Sequence, residues 1–267
     1  MIVFGEKINT INKDVLNALN KKDESFFRNL ALSQVYTGIV DVIDVNVGSD
    51  FSVEVENMQW AVPIVEESAG SKVSLAIDSS NPKAIIAGLE KLSNKKGAFI
   101  NSITLDEDKY KVLLPLAKEY DLKVIALPID KTGVPRSSIQ RVKLAEKLVE
   151  IVNSYGISLS KLYIDCIIEP ISISDINAIT ALETLISIKK EIPEVKTFIC
   201  LSAVSFGLPN RKLVNRNFAT LLIERGIDSI ILDPLDKDLA LSIFITKVLL
   251  GKDEYCQKYL EYIRSKI

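Results

Sequence analysis

Short runs of β-branched and other apolar residues alternate with longer stretches of helical period from one end of the chain to the other. The runs are Ile2 to Phe4, Val42 to Val47, Val73 to Ile77, Ala98 to Ile100, Val124 to Leu127, Leu162 to Ile164, Thr197 to Leu201 and Ser229 to Leu232. Each reads as a strand, and their near-continuous apolar character suits parallel strands covered by helices. Between them the period becomes helical: Tyr110, Leu113, Leu114 and Ala117 form one stripe, and Ile139, Val142, Ala145, Val149 and Val152 another. Asn81 before Pro82 predicts an N-cap and first helical residue, and Gly156 and Gly226 predict C-terminal stops. Strands alternating with helices eight times predict a (β/α)₈ TIM barrel, with a doubly wound open sheet as the alternative, because strand order is not visible in a sequence.

Length fits that expectation. The 267 residues match a barrel built as one unit. No Pro- or Gly-rich linker, low-complexity tract or short repeat divides the chain, so one domain over residues 1–267 is expected.

A formal charge of −2 with interspersed acids and bases offers no basic stripe for a phosphate backbone, which argues against nucleic acid as a partner. The greasiest segment, Leu239 to Leu250, is interrupted by Ser242, Thr246 and Lys247 and falls short of a membrane span. The first residues lack the pattern of a signal peptide, and a cytoplasmic protein is the expectation. Cys166, Cys200 and Cys256 are far apart and odd in number, supporting neither a disulfide framework nor a metal knuckle. The absence of histidine changes the picture most. It excludes His-dependent nucleophilic triads, His-ligated zinc and a histidine general base, leaving carboxylates, amides, hydroxyls or a bound partner to carry any chemistry.

In a barrel the reactive groups lie at the carboxyl ends of the strands. There the chain reads Ile43-Asp44-Val45-Asn46-Val47-Gly48, Ile77-Asp78-Ser79-Ser80-Asn81, Ile100-Asn101-Ser102, Ile164-Asp165-Cys166 and Leu201-Ser202-Ala203-Val204-Ser205. Taken alone, each polar residue reads equally well as a helix cap or turn residue. As a set, carboxylates beside an asparagine, with no phosphate cradle, suit a flat heterocycle rich in N–H donors, of which a pterin is one. An ionised Asp accepts two hydrogen bonds from a guanidine-like edge. There is no G-x-G-x-x-G after a strand and no P-loop pattern, so dinucleotide and nucleoside triphosphate sites are not indicated. The same carboxylates could hold Mg²⁺, but the expectation is that the chain binds no metal. Lys131-Thr132-Gly133-Val134-Pro135 reads as a turn or a mobile loop over the mouth.

Together with Phe4-Gly5-Glu6-Lys7-Ile8-Asn9, Tyr163-Ile164-Asp165 and the stretch Ser205-Phe206-Gly207-Leu208-Pro209-Asn210-Arg211, these motifs resemble the methyltetrahydrofolate:corrinoid protein methyltransferases over nearly the whole chain. They are also similar to the folate domain of cobalamin-dependent methionine synthase. The resemblance implies a pterin-binding barrel, usually a homodimer, that exchanges the N5 methyl of methyltetrahydrofolate, leaving tetrahydrofolate, with the cobalt of cobalamin carried by a corrinoid protein partner. It implies that Asp78, Asn101 and Asp165 hold the pterin edge, that Ser202 lines the same site, that Asp44 and Asn46 approach the ring more indirectly and that Arg211 lies near the aminobenzoyl-glutamate part. Methyl transfer from N5 displaces a poor amine leaving group, so a hydrogen bond or proton at N5 must stabilise the departing nitrogen.

One departure bears on catalysis: the position of Ala203 is usually asparagine in that family, where it meets N5, and alanine has nothing to offer there. Cys200 also stands where glycine is common. Three rivals follow. One is a pterin-binding barrel without methyl transfer, acting as a carrier or regulatory module. Another is a dihydropteroate synthase-like enzyme, disfavoured because strand eight ends in Leu232-Asp233-Pro234 without a histidine. The third is a metal-dependent aldolase using the same carboxylates.

Overall fold

Each of the eight predicted runs forms a parallel strand in the computed structural model, which describes residues 1–48 and 50–264. In chain order the elements are β1 (Ile2–Asn9), α1 (Lys13–Asn20), α2 (Glu24–Val35), β2 (Val42–Asn46), α3 (Glu54–Ala69), β3 (Ser74–Asp78), α4 (Pro82–Lys91), β4 (Phe99–Ile103), α5 (Glu107–Glu119) and β5 (Lys123–Ala126). They continue as α6 (Ser138–Ser154), β6 (Leu162–Asp165), α7 (Asn177–Glu191), β7 (Lys196–Phe198), α8 (Arg211–Glu224), β8 (Ser229–Leu232), α9 (Lys237–Leu249) and α10 (Gln257–Arg264).

Three strand ends differ from the sequence expectation by three residues or more, one of them that of β4, which runs on past Ile100 to Ile103. β1 runs on past Phe4 to Asn9 through an irregularity in its pairing with β2 between Gly5 and Ile8, which absorbs the polar Glu6 and Lys7 into a strand. β7 stops at Phe198, because Leu201–Ser205 winds into a short 3-10 turn instead of extending. The punctuation is as expected at Asn81, whose side chain caps α4 by accepting from Lys83 N with Pro82 in the first turn, and at Gly156 and Gly226, both at positive φ. Ile139 departs from its stripe: at the first turn of α6 it is exposed, while Val142, Ala145 and Val152 are buried.

Strand order decides between the two fold expectations. Consecutive strands pair from β1 to β7, and β8 pairs with β1, so the sheet curls into a barrel and the open doubly wound order is excluded. The seam between β7 and β8 is made by few groups. Ile231 N donates to Ile199 O at 2.9 Å, and the Asp228 carboxylate accepts from Thr197 N at 2.9 Å and Thr197 Oγ1 at 2.8 Å.

Two apolar layers result. The larger lies between strands and helices; the smaller fills the barrel with one residue from every strand: Phe4, Val42, Ala76, Phe99, Ile125, Tyr163, Phe198 and Ile231. Phe4 packs edge-on against Phe99 and Phe198, with centroids 4.8 and 5.2 Å apart. This plug closes the barrel below and gives the mouth a dry floor.

Candidate active site

Side chains alternate along a strand, so the residue two places beyond each interior residue also points inward, one layer nearer the mouth. Two steps on from the plug stand Glu6, Asp44, Asp78, Asn101, Leu127, Asp165, Cys200 and Asp233. Only Leu127 and Cys200 are not acids or amides, and both pack onto the plug. A polar ring thus sits directly on an aromatic floor. A cavity of about 560 Å³ opens beside it, with Asn46, Asp78, Ser79, Ser102, Leu127 and Lys109 among its lining residues.

The ring is cross-linked within itself. Asn101 Nδ2 donates to Asp44 Oδ1 at 2.9 Å, reaching from β4 over β3 to β2. Asn46 Nδ2 donates to Asp78 Oδ2 at 2.8 Å. Asp44 is only 1% exposed, and burial, followed by the neighbouring charge of Asp78, drives its carboxyl well above the usual range. Asp78 is also raised by burial, but its bonds to Asn46 and Asp44 and the nearby Lys109 ammonium oppose the shift. Of the two interacting carboxyls, the more deeply buried Asp44 is the one moved further toward its neutral form. Asp165 stands apart from that pair. Burial lifts its pKa to about 7, against the pull of the Ile167 N–H, which donates to Oδ1 at 2.7 Å, and of the Arg141 charge.

The other side of the mouth is built by β1, β8 and the turn after β7. Ser202 Oγ donates to Glu6 Oε2 at 2.9 Å, and Lys7 Nζ pairs with Asp233 Oδ2 at 3.0 Å. Arg211, at the start of α8, donates to Ser202 O at 2.8 Å and Ser205 Oγ at 3.1 Å and so pins the 3-10 turn. Among the described residues no group of three or more acids or cysteines converges as a metal site.

This geometry, a deep mouth of acids and amides over an aromatic floor, has relatives. The sequence profile described as "pterin binding enzyme" matches residues 6–233, which takes in every member of the ring. The chain belongs to the pterin binding enzyme family. It is 34% identical to a methylcorrinoid:tetrahydrofolate methyltransferase of Eubacterium limosum, over 99% of this chain and 97% of that protein. It is 27% identical to methionine synthase of Mycobacterium tuberculosis over 86% of this chain, which spans 20% of that much longer protein. Among solved structures, Yersinia pestis dihydropteroate synthase bound to a pterine-sulfa conjugate superposes with a TM-score of 0.67 at 15% identity, covering 94% of each chain. That likeness concerns the barrel alone.

Within this pterin binding enzyme the residues singled out from sequence occupy one mouth. Asp44, Asp78, Asn101 and Asp165 are in the ring itself, with Asp44 buried and accepting from Asn101. Asn46 and Ser202 lie just above it, each bonded to a ring carboxylate. Ala203 is half-buried against the core. Arg211 is exposed and reaches the site through the turn it holds.

Four residues escaped the sequence reading. Glu6 lies two residues beyond the run that ends at Phe4, and Asp233, though it directly follows Leu232, reads only as the place where a histidine motif is lacking; stepping two positions beyond Phe4 and Ile231 finds both. Glu54 and Lys109 had no local signal. Glu54 accepts from Ser79 Oγ at 2.6 Å and Lys109 Nζ donates to Ser79 O at 3.1 Å, an arrangement that depends on side chains from α3 and α5 both reaching the loop after β3. Cys166, Cys200 and Cys256 are free thiols.

Proposed function

We propose that this chain transfers a methyl group between N5 of tetrahydrofolate and the cobalt of a corrinoid carried by a partner protein. The observation that carries this reading is the ring of carboxyl and amide groups in a chain that aligns end to end with a methylcorrinoid:tetrahydrofolate methyltransferase. In it Asp78, Asn101 and Asp165 receive the amino and ring N–H groups of the pterin. Asp44 supports them by holding Asn101, Asn46 by holding Asp78, and Ser202 closes the opposite side. Arg211, exposed at the rim, suits the charged aminobenzoyl-glutamate end.

The interaction of Asp44 with Asp78 matters to this reading. Moving Asp44 toward its neutral form relieves the mutual repulsion of two buried carboxyls and leaves Asp78 as the acceptor for the donor edge of a neutral heterocycle. Cobalt supplies the chemistry of methyl exchange when the partner docks. What this chain supplies is position, a dry floor and control of charge near N5.

Apolar side chains on loops after four strands, Ile11, Phe51, Ile173 and Phe206, are all more than half exposed around that rim, and they suit the docking face of a corrinoid protein. A single domain over residues 1–267, a homodimer and a cytoplasmic location complete the proposal; among the described residues no helix is long and apolar enough to cross a membrane.

A second reading, a pterin-binding barrel that does not transfer methyl, is favoured by one observation. Ala203 presents only a methyl group where a hydrogen bond to N5 is wanted. Calorimetry with tetrahydrofolate and methyltetrahydrofolate, followed by methyl exchange with cobalamin watched by absorbance, separates the readings. Binding with exchange supports the transferase, binding without exchange supports the carrier, and no folate binding removes both. In the same assay Ala203→Asn is expected to leave binding in place and to raise the exchange rate by about 10-fold or more, as one added hydrogen bond in the transition state allows.

A further inference from the structure

The mouth has two chemically distinct sides. Asp78 and Asn101 lie on β3 and β4, whereas Glu6, Asp233 and the turn carrying Ser202 and Ala203 belong to β1, β8 and the end of β7, across the barrel. A pterin held at Asp78 and Asn101 by its amino edge, as in the reading above on which this inference rests, turns its other ring, with N5, toward that second side. There position 203 offers no polar group, but the carboxyl of Glu6 lies within hydrogen-bond reach of the adjacent Ser202 hydroxyl, at 2.9 Å.

We propose that Glu6 is the acid–base group for N5, doing by proton transfer what a donor at position 203 does not do in this chain. In methyl transfer to tetrahydrofolate the N5 lone pair forms the nitrogen–carbon bond. The cobalt–carbon bond breaks with its electron pair left on cobalt, and the N5 proton passes to the Glu6 carboxylate. In the reverse direction Glu6, as the carboxylic acid, gives that proton to N5 while the electron pair of the nitrogen–carbon bond stays on nitrogen and the methyl group goes to cobalt.

The surroundings suit a group that both takes and returns a proton. Burial is the largest influence and raises the Glu6 carboxyl above the ordinary range; the Ser202 hydrogen bond opposes it, the charge of Asp233 adds to it, and Lys7 and Arg211 counter it. Asp44 on β2 and the Cys200 thiol also face Glu6 and feel its charge. A carboxyl moved toward neutrality is matched to reversible proton transfer.

The test is single-turnover methyl transfer from methylcobalamin to tetrahydrofolate across a pH series, with tetrahydrofolate binding measured by calorimetry on each protein. The wild type should lose rate as pH falls and Glu6 is protonated. Glu6→Gln should bind tetrahydrofolate about as well as wild type, transfer methyl about 10²-fold more slowly and lose that acid limb. Adding Ala203→Asn to Glu6→Gln should recover about 10-fold or more. Ser202→Ala, which removes the hydrogen bond that favours the carboxylate, should move the acid limb to higher pH, and it serves if Glu6→Gln does not fold. A Glu6→Gln protein with wild-type rate and an intact acid limb overturns the assignment, as does a Ser202→Ala protein whose limb does not move. A wild type that binds no tetrahydrofolate overturns the methyltransferase reading beneath it, a result readily told apart from loss of transfer with binding retained.

Discussion

On the proposed reading, Asp165 trades stability for affinity. Its carboxyl is pushed up to about 7 by burial, whereas in the unfolded chain it ionises near 4. A raised folded pKa contributes stability that is fully present below the unfolded value and lost as pH rises through the folded one. At pH 8 the ligand-free protein therefore holds an ionised carboxylate in an unfavourable place. Asp165→Asn should raise stability at pH 8 by on the order of 3 kcal/mol while weakening tetrahydrofolate binding by about 1 to 3 kcal/mol through loss of a charge-assisted hydrogen bond. Urea denaturation and calorimetry on the one variant read both quantities; a less stable protein that binds normally contradicts both parts.

At the scale of elements, helix packing decides what the loops can do. Arg141 on α6 is 1% exposed and donates from Nε to Pro135 O at 3.0 Å and from Nη1 to Cys166 O and Ile167 O at 3.1 and 2.6 Å. One guanidinium thus ties the loop after β5 to the loop after β6, next to Asp165. Arg141→Met keeps much of the apolar stem but strands three carbonyl oxygens, and should cost about 3 kcal/mol or more of stability, read as a lower urea midpoint. It should also raise the Asp165 pKa further, because Arg141 is the charge that opposes its burial. An NMR titration of that carboxyl showing no upward movement argues against the link.

Close approach is equally local. A Cβ on Gly88 in α4 would lie 2.7 Å from Ile77 Cγ2 and 2.8 Å from Met58 Cγ, so Gly88→Ala should destabilise by about 1 to 3 kcal/mol despite alanine's better helix propensity. A melting temperature equal to wild type would refute that claim. The helices and strands were legible because their periodicity is local; Ile139 was misassigned because a stripe does not say where a helix's first turn clears its neighbours.

For the whole molecule, charge burial and barrel closure set opposite pH dependences. Glu6, Asp44, Asp78 and Asp165 all have raised pKa values, burial being the largest cause in each. Their combined effect is stability lost as pH rises from about 4 through the value near 7 of Asp165. Asp228 at the seam acts the other way. Burial pushes it up, but hydrogen bonds from Thr197 N and Oγ1 and from Lys189 win and hold it below the ordinary range. Its contribution is present above the unfolded value near 4 and lost as pH falls through the folded one. The ligand-free barrel should therefore be more stable at pH 5 than at pH 8, with Asp228→Asn weakening it at both; a higher urea midpoint at pH 8 contradicts this balance.

By itself the sequence determined the elements and the chemical character of the mouth. Apolar runs and helical stripes are properties of neighbouring residues, and the absence of histidine restricted the chemistry before any fold was known. Asp78, Asn101 and Asp165 were legible because each ends an apolar run, and Asp44 because it interrupts one. Only the tertiary structure decided that the sheet closes, since β8 meets β1 across more than two hundred residues of chain. It also decided that Glu6 and Asp233 belong with the others. Which side chains share a ring depends on strand register around a closed barrel, and register is a relation between strands that no single run of residues contains.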